Sequence, residues 1–174
     1  MLERSMADGV ARAIEPEPTG QVDDESRRET LELYKLYVEM ADRSAARRLG
    51  ANSFFVTVNA AILGIAGAVL AREGNTVGSF PYWPASLAGI ILCWAWLRII
   101  RSYRNLNTAK FAVINEIEKR LPIRPYSAEW EAVGKGEDPK RYKPLSHVEV
   151  AVPLVFLVVH ITLAVCFWLA GRLS

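Results

Sequence analysis

Histidine and cysteine are nearly absent: two of each stand among 174 residues. His147 and His160 have no acid or thiol at ligand spacing, so no metal or cofactor is expected. The Walker loop, GxGxxG and GxSxG are all missing, which removes the usual phosphate-cradling and nucleophile frameworks. An enzyme is not expected. Cys93 and Cys166 lie in different apolar runs, and their depths differ by about 13 Å at 1.5 Å of rise per residue, too far for a disulfide. The first twenty residues lack a basic segment followed by an apolar one and carry Glu15, Pro16, Glu17 and Pro18 instead, so no secretory signal is expected. Acid is locally missing too. None occurs between Arg43 and Arg72, and none between Arg98 and Asn115.

The chain is 51% hydrophobic and 23% charged. Both figures hold together because the apolar residues are concentrated. Ala51 to Ala71 is uncharged, Pro81 to Leu97 is uncharged, and Val150 to Ala170 is uncharged. Each run approaches the ~20 apolar residues that cross a hydrocarbon core of about 30 Å. The sequence therefore predicts an all-α integral membrane protein with three transmembrane helices, assembled as a homo-oligomer. Lys and Arg crowd the segment before the first run and the segment between the second and third. By the positive-inside rule both segments face the cytoplasm, with the N-terminus inside and the C-terminus outside.

Residues 1–22 are rich in Pro, Glu and Gly and are expected to be a disordered tail. Residues 23–121 are expected to form a long helical hairpin, with membrane spans at 51–71 and 81–100 and two legs reaching into the cytoplasm. Leu31, Tyr34, Val38, Ala41, Ala45 and Leu49 mark the buried stripe of the first leg, and Gly50 is where that helix would bend. Tyr103, Leu106, Val113, Ile117 and Leu121 mark the second leg. Residues 122–146 read as a linker holding a short helix after Ser127. Ser146 and Glu149 have the spacing of a capping box, which starts the third membrane helix at 147–174, and Pro153 should kink it.

Two intramembrane polar residues, Asn59 and His160, are eight and ten residues past the same end of their spans. Both spans run the same way, so the two side chains should reach similar depth. Two readings stay open. In one, Asn59 and His160 hold helices together by an interhelical hydrogen bond worth about 0.6–2 kcal/mol. In the other, Asn52, Val56, Asn59, Leu63 and Ala66 line a water path in an oligomer, with Leu63 as an apolar constriction. A neighbouring face carries Ala60, Gly64 and Ala68, which permits close helix contact.

Arg43, Arg47, Arg48, Arg98, Arg101, Arg104 and Lys110 should gather near the cytoplasmic membrane surface. They suit lipid headgroups, or the phosphates of a nucleotide or oligonucleotide. Tyr126, Trp130 and Tyr142, near Lys140, Arg141 and Lys143, would suit base stacking.

The stretches YKLYVEMADRSAARRLGANSFFVTVNAAI and RSYRNLNTAKFAVINEIEKRLP resemble the SLATT family of small bacterial membrane proteins. The shared features are a helix reaching a basic pair, AN-x-FF at the start of the first span, and a basic helix leaving the second. The resemblance covers residues 30–125, and the third span departs from that family's two-span core. It implies a pore-forming effector of antiviral defence by abortive infection. A partner nucleotidyltransferase would make the nucleotide signal, and opening would depolarise the membrane and arrest growth. A tetramer is the expected assembly. The alternative is a non-conducting scaffold that recruits a soluble partner through its cytoplasmic helices.

Overall fold

The computed structural model describes residues 10–11, 24–72, 83–136 and 145–173. Most of the N-terminal tail, the loop joining the first two spans, and the segment with Lys140, Arg141, Tyr142 and Lys143 lie outside these residues. The described elements are α1 (Asp24–Arg72), α2 (Trp83–Glu118), a short α3 (Pro125–Ala132), a 3-10 turn (Gly134–Gly136) and α4 (Leu145–Leu173). Every element is helical, and α1, α2 and α4 are long and apolar enough to cross a membrane.

The helix ends have local causes. Asp24 and Glu25 place negative charge at the N-terminus of α1, where the helix dipole favours it. The 49-residue helix is continuous through Gly50. Pro84 sits in the first turn of α2, where a missing N–H costs nothing. That helix stops at Glu118, three residues short of the expected Leu121. The amides of Arg120 and Leu121 instead close tight turns onto the Ile117 and Glu118 carbonyls. Pro122 follows and disfavours helical geometry at Leu121. Pro125 starts α3, and the left-handed Gly134 and Lys135 follow its end.

Helix α4 corrects the capping expectation. It begins at Leu145, so Ser146 already lies inside the helix. The Glu149 carboxylate reaches α1 rather than turning back. Pro153 is buried and α4 runs on through it. Its ring removes the N–H that would have bonded the Glu149 carbonyl.

The chain divides into two compact units, residues 1–46 with 103–144, and residues 47–102 with 145–174. In the first, α1 and α2 run antiparallel: Tyr34 meets Glu118, while Lys110 reaches the Met40 carbonyl at 2.8 Å. Its buried residues are Ala41, Ser44, Ile114, Ile117 and Glu118. Leu31, Ala45 and Leu106, placed on the buried stripes by spacing, are exposed, as is Leu49 in the second unit. Glu118 organises this packing. Its carboxylate accepts the Tyr34 hydroxyl at 2.9 Å, the Tyr126 and Ser127 amides at 2.8 and 3.0 Å, and the Ser127 hydroxyl at 2.8 Å. It thereby satisfies free amides at the start of α3, as a capping side chain does.

In the second unit one aromatic ring comes from each membrane helix. Phe55 of α1 stacks on Trp96 of α2 with centroids 5.6 Å apart, and Phe156 of α4 lies 6.3 Å from Trp96. Ile100 completes the buried cluster. Lipid tails are as apolar as these rings, so packing and hydrogen bonds, not water exclusion, hold such helices together.

Candidate functional site

Above and below the aromatic layer lie two polar layers, each built on an asparagine of α1. Asn52 and Asn59 are seven residues apart, two helical turns, so both point the same way. Their partners come from α2 and α4.

At the Asn52 layer the Trp96 indole N–H donates to Asn52 Oδ1 at 2.8 Å. The Asn52 amide donates to Glu149 Oε1 at 3.2 Å. Arg48 Nε stands 3.4 Å from the same oxygen, with the two side chains only 21% and 14% exposed. Three helices are thus joined by one connected set, and Arg48 neutralises the carboxylate inside it.

At the Asn59 layer the asparagine is 0% exposed and His160 is 1% exposed. Asn59 Nδ2 donates to the Phe55 carbonyl on its own helix at 2.8 Å. That leaves Oδ1 to accept, and it lies 3.1 Å from His160 Nε2 and 3.5 Å from Cys93 Sγ. An acceptor requires donors, so the geometry calls for the imidazole tautomer with its proton on Nε2. Nδ1 is then a buried lone pair with no partner among the described residues. The ring lies against Gly89: a Cβ there would overlap His160 Cε1, Nε2 and Nδ1. Sequence reasoning missed Gly89. The only available signal was a glycine within the second span, facing the helix that carries a ring.

Within the protomer Asn52 and Asn59, expected among the pore-lining residues, turn toward α2 and α4. Asn59 has no surface left to line a path between protomers, and Asn52 spends both amide atoms on its own chain. Leu63 and Ala66 are half-buried on the same inward side, and Val56 is exposed at its edge. The interhelical bond between Asn59 and His160 is the reading the geometry carries.

The basic residues separate as well. Arg43 pairs with Glu39 at 2.6 Å on an exposed surface, an i,i+4 contact of small energetic weight. Arg48 belongs to the Glu149 set and Lys110 to the Met40 carbonyl. Arg98 lies over its helix neighbour Trp94, 5.6 Å from the ring centroid. Arg47, Arg101 and Arg104 are exposed and make no ion pair among the described residues. Tyr126 is not free to stack on a base, because its ring contacts Tyr34 and Phe111 edge-on. Burial, then the negative charges of Asp42, Glu129 and Glu118, pushes its phenol pKa up. Trp130 is exposed.

A family model, the octameric membrane protein family (8xMP), matches residues 31–169 of the chain. The match supports an oligomeric membrane protein, and the SLATT likeness remains a resemblance of the two quoted stretches. No curated protein and no solved structure matches.

Proposed function

The chain belongs to the octameric membrane protein family, and from that premise we propose a non-enzymatic, homo-octameric channel in the bacterial inner membrane. The octamer takes the place of the tetramer expected from the sequence. In this reading an anionic ligand, a nucleotide or oligonucleotide made by a partner nucleotidyltransferase, controls ion flow from the cytoplasmic side. The likeness to SLATT effectors supplies the setting: depolarisation and growth arrest during phage infection.

The observation that supports the ligand is the set of guanidinium groups Arg47, Arg98 and Arg101. All three are exposed, and none has an acid partner among the described residues. Arg98 lies over the Trp94 ring. Guanidinium forks match phosphate oxygens, and closed symmetry repeats each fork around the axis. Arg48 is withdrawn from the ligand set, since removing it would unpair Glu149.

The test is ion flux from proteoliposomes, with and without a panel of cyclic and linear oligonucleotides. Flux that changes with one nucleotide, and no longer changes when Arg47, Arg98 and Arg101 become Gln, is the expected result. Absence of flux from a folded, inserted octamer under every condition overturns the channel. One observation favours the scaffold as the second reading. Leu33, Leu36 and Met40, at steps of three and four along α1, are all exposed. Such a stripe would hold a partner helix, and a scaffold predicts a bound soluble protein with no flux.

A further inference from the structure

The three membrane helices turn different chemistry outward. On α2 the outward residues Leu87, Ile91 and Trp94 are large and exposed. On α4 Val155, Val158 and Trp168 are likewise exposed, and Arg172 lies over the Trp168 ring at 4.1 Å. Bulky aliphatics ending in Trp and Arg are what a lipid-facing helix carries, with the aromatic and cation at the headgroup level.

The neighbouring face of α1, turned away from the Asn52 and Asn59 side chains, is different. Ser53, Thr57, Ala60, Gly64 and Ala68 recur there at steps of three and four, and all are exposed. A Cβ added at Gly64 or at Gly67 beside it would meet nothing within 4 Å. Phe54 and Ile65, also exposed, flank this face. The Thr57 hydroxyl donates to the Ser53 carbonyl at 2.9 Å, so that hydroxyl needs no water to satisfy it. Small residues give lipid little to pack against, yet they let two helix backbones approach closely.

We infer that copies of the chain meet along this face of α1, with Ser53, Thr57, Ala60, Gly64 and Ala68 at the contact and α2 and α4 toward lipid. The occupant is a second copy because the family is one of octamers, so some face of each protomer must meet another. The inference rests on the octamer proposed above. It also moves Asn52 and Asn59 off the subunit boundary: they fix the protomer, and the small-residue face joins protomers.

The experiment uses the full chain purified in mild detergent, with assembly mass read by native mass spectrometry and by light scattering. Gly64→Leu and Ala60→Leu each add bulk where the protomer itself is open, and Val158→Trp is the lipid-face control. Helix content and unfolding midpoint check that each protomer folds. The expected result is loss of the octamer in both α1 variants and its retention in Val158→Trp. If Gly64→Leu fails to fold, Ala60→Leu decides. An octamer that survives in the α1 variants overturns the inference, as does one lost only in Val158→Trp. A wild-type monomer overturns the octamer itself, which separates that failure from a misplaced face.

Discussion

Adding one methyl group at Gly89 should loosen the membrane unit. The Cβ of Gly89→Ala falls on the His160 ring, which must shift and so disturb its bond to Asn59 Oδ1. Overpacking of this kind costs about 1–3 kcal/mol. Loss of the interhelical hydrogen bond adds about 0.6–1.7 kcal/mol. Against these, Ala is favoured over Gly in a helix by roughly 1 kcal/mol. The net expectation is a loss of about 1–3 kcal/mol, on the same principles. Unfolding in mixed micelles is the assay, followed by tryptophan fluorescence, since Trp96 sits in the aromatic layer. The decisive comparison is a cycle with His160→Ala. With the ring removed, the methyl has room, and Gly89→Ala should become neutral or slightly stabilising. The coupling energy should then reach about 1–3 kcal/mol, the range for residues in contact. Equal effects of Gly89→Ala in the presence and absence of the His160 ring would refute the seat.

The two neighbouring arginines should separate by role: Arg48→Gln lowers the unfolding midpoint because it leaves the Glu149 carboxylate unpaired, at a cost of about 1–3 kcal/mol, whereas Arg47→Gln leaves the midpoint unchanged. Equal midpoints for the two variants would count against the Glu149 set. Packing around α3 should weaken in acid. Burial by itself would raise the Glu118 pKa, but bonds from the Tyr126 and Ser127 amides and the Ser127 and Tyr34 hydroxyls outweigh it and hold the carboxyl below its usual range. A depressed folded-state pKa gives stability that is present above the unfolded value near 4.3 and is lost as pH falls through the folded value. Hydrogen exchange at Tyr126 and Ser127 should therefore accelerate at low pH in the wild type, and show no such step in Glu118→Gln. Tyr34→Phe removes one donor, costs about 1 kcal/mol and should bring the Glu118 pKa upward, which carboxyl titration by NMR would read.

The sequence makes the three membrane helices legible, because a bilayer dictates a length of uncharged chain and little else mimics it. Depth was legible too. Counting from the ends of two parallel spans put Asn59 and His160 at one level, and their side chains lie 3.1 Å apart. Facing was not. Asn52 and Asn59 share a helix face under any reading, and only the neighbours supplied by α2 and α4 decide whether that face is enclosed. Arg47 and Arg48 are adjacent and identical in type, yet about 100° of helix rotation puts one in solvent and one against Glu149. Glu149 carried only the spacing of a cap, while its carboxylate lies against Arg48 of α1, a partner that the spacing does not reveal. Gly89 was invisible for a different reason: what a glycine accommodates is written on the opposing helix, here as an imidazole 71 residues away.

The layered arrangement also bears on how the chain is made. Synthesis delivers α1 and α2 before α4. The hairpin alone supplies the contacts of Asn52 with Trp96 and of Asn59 with Cys93, whereas the carboxylate beside Arg48 and the ring against Gly89 both belong to α4. Only the arriving third span supplies Glu149, Phe156 and His160, in that order along its length and at matching heights. Each layer of the membrane unit is therefore completed only by the last helix. A chain that ended before Leu145 would lack the partners that α4 brings to Arg48 and to Asn59 Oδ1.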